Sequence, residues 1–207
     1  MACGAGGVAC AAAGVARRVC GIDLTPAMIE QARAAQTAAG LANIDWHVGD
    51  IGHLPFAAGT FDVVLTRYSL HHLLRPGQAV AEMARVCRPG GRLVVADLVL
   101  PPDQGAVYDR MERLRDPSHV RILSEPELAG LIADGGFSVL QWAGYLFELS
   151  LDQLLRASFP APGNAERVRE MIEADVGSNA LGIGVHRAGG EVRFAYPIAV
   201  AGAVKRA

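Results

Sequence analysis

Residues 2–23 read Ala2-Cys3-Gly4-Ala5-Gly6-Gly7-Val8-Ala9-Cys10-Ala11-Ala12-Ala13-Gly14-Val15-Ala16-Arg17-Arg18-Val19-Cys20-Gly21-Ile22-Asp23. Glycines 4, 6 and 7 predict a tight turn that feeds an alanine-rich helix ending near Arg17, since glycine supplies backbone freedom and alanine has the best helix propensity. The apolar run at 19–23 then predicts a short strand closed by a carboxylate. The turn matches G-x-G-x-x-[GA], and Asp23 follows Gly4 by 19 residues. That combination joins a backbone that a ligand can approach, at a helix N-terminus, to a carboxylate able to accept both hydroxyl hydrogens of a ribose. The glycines alone are equally consistent with close packing; the spacing to Asp23 favours a nucleoside.

The same rhythm continues along the chain. Thr25 and Pro26 start a helix, threonine as N-cap and proline at the first helical position, and Gly40 stops it. Residues 44–48 and 61–66 predict strands, 78–87 a helix ended by Arg88-Pro89-Gly90-Gly91, and 92–99 the most apolar strand. Such runs, apolar on both faces, suit a parallel sheet covered by helices. Residues 101–124 are polar and arginine-rich, with helical spacing at 108–114. Ser124-Glu125-Pro126-Glu127 then has the form of a capping box for a helix over 125–134. Extended segments at 137–149 and 192–204 flank a helix at 164–175. The pattern predicts one α/β domain over 1–207. Its expected architecture is a doubly wound, mostly parallel, Rossmann-like sheet with a late antiparallel strand pair.

Composition excludes several function classes. A formal charge of −2 without any basic run gives no reason to approach a phosphate backbone, so no nucleic-acid partner is expected. Lys205 is the sole lysine, which removes the P-loop and Schiff-base chemistry. The 4 cysteines form no C-x-x-C and the 6 histidines no H-E-x-x-H, so no metal is expected. The apolar opening carries its positive charges after the apolar part and is too short to span a bilayer, which needs ~20 residues. The chain is expected to be cytoplasmic, without membrane insertion; a homo-oligomer stays open.

Ligands of doubly wound sheets bind beyond the carboxyl ends of the strands, here residues 4–7, Asp23, Asp50, 67–72 and Asp97. NAD and S-adenosylmethionine both carry an adenosine ribose. Asp50 can accept from an exocyclic adenine amine. None of Tyr68, Tyr108, Tyr145 and Tyr196 is followed four residues later by lysine, which counts against short-chain hydride transfer. With Ala2 to Gly7, Gly21-Ile22-Asp23-Leu24-Thr25-Pro26-Ala27-Met28, Gly49-Asp50, Leu54-Pro55-Phe56, Phe61-Asp62-Val63-Val64 and Arg88-Pro89-Gly90-Gly91 in this order, the chain resembles the class I S-adenosylmethionine-dependent methyltransferases. Within them it is similar to the ubiquinone and menaquinone biosynthesis C-methyltransferases. The resemblance implies S-adenosylmethionine as cofactor. Gly4 and Gly6 would line its methionine part, Asp23 hold the ribose, Leu24 and Met28 flank adenine, and Asp50 with Ile51 read the adenine edge. Arg67 joins this cofactor-binding set. The family's motif opens with an acidic residue two positions before Ala2, at the end of a central strand, so the first central strand is expected to be missing or truncated. The alternatives are an NAD-dependent oxidoreductase and a non-catalytic, truncated binding protein.

Methyl transfer from a sulfonium is an in-line displacement that needs positioning, and a base only when the acceptor carries a proton. His71 or Tyr68, in Thr66-Arg67-Tyr68-Ser69-Leu70-His71-His72, could supply it or orient an acceptor oxygen; helix capping and packing on the cofactor are the competing roles. His119, in Arg115-Asp116-Pro117-Ser118-His119-Val120-Arg121, is the third candidate. It falls in residues 101–124, where related enzymes insert a cap over the acceptor. These residues suit a small-molecule methyl acceptor of anionic, phenolic or quinol-like character.

Overall fold

The computed structural model describes residues 1–158 and 160–206. Chain order begins α1 (Gly7–Ala13), β1 (Val19–Asp23), α2 (Pro26–Ala38), β2 (Ile44–Val48) and β3 (Phe61–Arg67). A 3-10 turn at Leu70–His72 leads to α3 (Pro76–Val86), β4 (Cys87–Leu98), α4 (Pro102–Arg115) and α5 (Glu125–Asp134). The chain continues with β5 (Phe137–Ser150), α6 (Leu151–Arg156), α7 (Asn164–Ala174), β6 (His186–Ala188) and β7 (Glu191–Lys205). The first half pairs in parallel, β1 with β2 and β3 with β4; the second half is antiparallel, β7 lying between β4 and β5 with β6 folded back on it.

Local chemistry accounts for the boundaries. Gly14 caps α1 at Ala13, short of the expected Arg17. Thr25 stands at the N-cap of α2 without a side-chain bond; Asp23 instead accepts from the Thr25 N–H at 3.0 Å. Arg88 to Gly91 do more than end a helix. Phe61 pairs with Cys87 and Val63 already with Arg92, so residues 88–91 bulge out of β4, with Gly90 at φ +67°. The Ser124–Glu127 capping box forms as expected, the serine accepting from the Glu127 N–H and the glutamate from the Ser124 N–H.

The buried apolar residues form three groups. A central group joins Ile22, Val64, Met83, Leu93, Leu128 and Phe137. A second, under α4 and α7, contains Tyr108, Met111, Val168, Ile172 and Phe194. The third belongs to β1, β2 and their helices, around Trp46, Ile29 and Ala32. Among the described residues, β1 and β3 face one another without pairing, the place where the sequence predicts a central strand to be lacking. Residues 1–3 cross this gap: the Met1 amine donates to the Leu65 carbonyl (2.7 Å), Thr66 Oγ1 to the Met1 carbonyl (3.1 Å) and the Cys3 N–H to the Ile22 carbonyl (3.0 Å).

Candidate functional site

The glycine turn is held by its strand partner. Asp23 Oδ2 accepts from the Gly4 N–H at 2.7 Å, and Oδ1 from Thr25. A carboxylate has about four lone-pair sites, so two stay available to a ligand. Open space lies where a Cβ on Gly4 would project, and Gly4 lines a crevice of about 1420 Å³ with Asp23, Leu24, Asp50, Ile51 and Arg67. Leu24 is exposed and Ile51 buried. Asp50 Oδ1 accepts from the Gly52 N–H (2.8 Å), which fixes the carboxylate at the crevice edge. Gly6 and Met28 do not line this crevice. Gly6 has φ +85°, and a Cβ there would lie 2.8 Å from the Trp46 ring and 2.9 Å from the Ala32 Cβ, so its role is to let α1 pack on α2 and β2.

At the carboxyl ends of β3 and β4 the chemistry is carried by side chains. Asp97 is buried at the end of β4, and its carboxylate accepts from the N–H groups of Leu70 (2.9 Å) and Leu98 (2.9 Å), with Ser69 at 3.3 Å. Its Oδ1 also meets His71 Nδ1 at 2.5 Å. Since the carboxylate only accepts, Nδ1 carries the proton and Nε2 keeps a lone pair. Opposite, the residues 116–121 loop is sewn to the 3-10 turn: the N–H groups of Val120 (3.0 Å) and Arg121 (3.1 Å) both donate to the His71 carbonyl. Ser118 Oγ donates to Asp116 (2.7 Å) and accepts from His72 Nδ1 (3.0 Å). Burial, reinforced by His71, lowers the His72 pKa.

His119 is buried in the same cluster. Its Nε2 donates to Asp109 Oδ1 at 2.7 Å, and that oxygen also accepts from the Ile122 N–H (2.8 Å). The His71 and His119 rings stand 5.6 Å apart, centroid to centroid. Arg115 is bound by Glu112 through Nε (2.9 and 3.0 Å) and a further contact from Nη2, and Nη1 donates to Ser158. Burial works against its charge, but the bonds and charge of Glu112 outweigh it and raise the arginine pKa. Together with Tyr108 and Tyr196 these residues enclose a cavity of about 240 Å³.

Tyr68, His71 and His119 all line this cavity; Tyr68 and His72 also line the crevice, so the two spaces share a wall. Tyr68 holds φ +54°, a left-handed conformation that costs a non-glycine residue roughly 1–3 kcal/mol and gathers at functional sites. Arg67 stacks on its ring at 4.2 Å and donates to its hydroxyl (3.0 Å), which also bonds to Tyr145 (2.7 Å). Burial and the Tyr145 bond raise the Tyr68 pKa, so its phenol stays protonated near neutral pH. Arg121 lies outside the cavity, paired with Glu127 at 2.7 Å.

Asp109, Glu112, Tyr108 and Tyr196 were not among the candidates. A signal existed for the acids: positions 105, 108, 109 and 112 share one helical face, so two carboxylates sit beside Tyr108 on the buried stripe of α4. Among the described residues no cluster of metal-ligating side chains forms, and no helix is long and apolar enough to cross a membrane.

A methyltransferase-domain family profile matches residues 1–95. The uncharacterized methyltransferase YcgJ of Bacillus subtilis is 36% identical over 120 residues, 57% of this chain and 47% of that protein. Its crystal structure superposes with TM-score 0.88 at 24% identity, covering 100% of this chain and 90% of that one. A putative methyltransferase from Bacillus halodurans gives 0.89 at 23% identity with the same coverages, 100% and 90%. The ubiquinone/menaquinone biosynthesis C-methyltransferase UbiE of Roseobacter denitrificans is 41% identical over 83 residues, 40% of this chain and 33% of that protein. The chain spans about half the length of these curated relatives, or less. Residues 1–95 therefore match the methyltransferase-domain family, and the chain carries the fold of the class I S-adenosylmethionine-dependent methyltransferases.

Proposed function

We propose that the chain transfers the methyl group of S-adenosylmethionine to a small phenolic or quinol-like acceptor in the 240 Å³ cavity, with residues 101–124 as its cap. The observation that carries this reading is the wall of Tyr68 and His72 common to crevice and cavity, which sets a donor site against an acceptor site. The crevice fits the cofactor: Gly4 leaves room for close approach, Asp23 keeps lone pairs for the ribose hydroxyls, Leu24 offers an exposed apolar surface, and Asp50 and Ile51 stand at the far edge. When bound, S-adenosylmethionine supplies an activated methyl group for in-line displacement. His71, its tautomer set by Asp97, presents Nε2 as the base for a proton leaving the acceptor. Protonated Tyr68 serves as wall and hydrogen-bond donor. The likeness to UbiE supports a quinol-like ring, and the free cysteines support a cytoplasmic setting.

The test is turnover of labelled S-adenosylmethionine against phenols, quinols, amines and carboxylates. His71→Ala should lower kcat by ~10² or more with cofactor affinity nearly unchanged. Full activity in His71→Ala, Tyr68→Phe and His119→Ala would remove a residue base, and no turnover of any phenol or quinol would remove the acceptor class.

A further inference from the structure

Among the described residues, two buried side-chain polar atoms lack a hydrogen bond of good geometry, His119 Nδ1 and Tyr196 Oη, the second with only the Tyr108 hydroxyl close by. Both residues line the acceptor cavity, and both are absent from the crevice wall. Leaving such atoms unpaired costs on the order of 1–3 kcal/mol each, so their coincidence in one small cavity calls for a ligand. Asp109 fixes what the histidine needs. In the tautomer that gives Nε2–H to the carboxylate, the His119 ring presents Nδ1 as an acceptor, while the Tyr196 phenol has a proton to donate. Tyr108 packs edge-on to both rings, at centroid distances of 6.0 Å and 6.2 Å.

From this we infer that the end of the cavity formed by His119 and Tyr196 is an anchoring subsite for a neutral hydroxyl on the acceptor, distinct from the position that receives the methyl group. The proposal rests on the reading of this cavity as the acceptor site. A hydroxyl donates to Nδ1 and accepts from Oη at once. A carbonyl would leave Nδ1 unpaired, a carboxylate would set its lone pairs against that of Nδ1, and an ammonium, though able to donate to both atoms, would bring a charge into a cavity whose carboxylates Asp109 and Glu112 are already paired. An anion also lacks a free cation to pair with, because Glu112 already engages the Arg115 guanidinium. The hydroxyl is therefore held, and the atom nearest Tyr68 and His72 is the one exposed to the crevice.

Calorimetry on the full chain with para-cresol, toluene and para-toluate tests this without turnover, while S-adenosylhomocysteine is titrated in parallel. The wild-type protein should bind para-cresol about 10-fold more tightly than toluene, and para-toluate more weakly than para-cresol. Tyr196→Phe removes one oxygen, and His119→Gln retains a donor for Asp109 while deleting Nδ1. Each should cut the cresol-to-toluene ratio about 5-fold or more, with S-adenosylhomocysteine affinity unchanged. Equal affinity for cresol and toluene overturns the inference, as does a ratio that neither variant moves, the result expected if a fixed water holds the two atoms. Discrimination that survives in a protein binding no S-adenosylhomocysteine would uphold the subsite and sink the methyl-transfer reading.

Discussion

The crevice wall of residues 4–51 and the cavity wall of residues 97–122 both offer fixed polar groups to a small molecule, and they are built from different materials. The crevice is made of backbone: a turn with open space beside Gly4, N–H groups tied to Asp23, and a partly exposed Asp50. The cavity is made of buried side chains locked in pairs, Asp97 with His71, Asp109 with His119 and Glu112 with Arg115. A backbone site is insensitive to most single substitutions outside its glycines and one carboxylate. A site of buried pairs is vulnerable at every member, since removing one partner leaves the other unpaired away from water.

Perturbing both walls measures this contrast. The largest effect is expected at Asp97→Asn, whose single amide oxygen cannot serve the His71 Nδ1–H and Leu98 donors on one side and the Leu70 N–H on the other, and whose NH2 group favours the wrong tautomer. Turnover should fall by roughly 10³-fold, and the denaturation midpoint should drop with it; a variant of wild-type kcat would place the base elsewhere. Next comes Gly6→Ala, which adds strain at φ +85° to a Cβ 2.8 Å from Trp46. It should cost about 2–4 kcal/mol in chemical denaturation, and Trp46 fluorescence should report it. Asp23→Ala should then weaken S-adenosylmethionine binding ten- to hundred-fold, equivalent to ~1.5–3 kcal/mol, by calorimetry. Unchanged affinity there would show that the backbone alone holds the nucleoside. The smallest change belongs to Arg121→Ala. Its exposed pair with Glu127 contributes within ~1 kcal/mol, and the acceptor KM should stay at the wild-type value, in contrast to any substitution inside the cavity.

The same difference in materials decides what could be read from the chain. Residues 19–23 and 44–48 announced themselves as strands because their runs end at Asp23 and before Gly49, residues 61–66 stood out by their apolar run and extend in the fold to Arg67, and the crevice followed because turn and carboxylate lie at a fixed spacing. Short elements escaped although their signals were present. Ser150 and Gln153 form a capping box for α6, and Gly189-Gly190, both at positive φ, close the hairpin of β6 and β7. The pairs lining the cavity had no such local signature. Asp97 and His71 are 26 residues apart and His119 and Asp109 lie on different elements, so only the folded chain makes them neighbours. The arginines of residues 115–121 looked like an anion site from their sequence. In the fold Arg115 is neutralised by Glu112 and Arg121 by Glu127, which leaves a cavity without spare positive charge.

The unpaired facing edges of β1 and β3 carry a further consequence. The unit of β1, β2, α1 and α2 has its own small core and shares Ile22 with the central one, and its five-residue parallel ladder is hydrogen-bonded to the larger sheet only through the few bonds of residues 1–3 among the described residues. Such a unit opens sub-globally, at a lower free energy than the β4–β7–β5 ladder at the other side of the molecule. The wall proposed for the nucleoside thus lies in a less protected part of the molecule than that ladder. A bound nucleoside touching both edges would act as a clasp, slowing amide exchange in β1 and β2 while leaving that of β4 and β7 as it was.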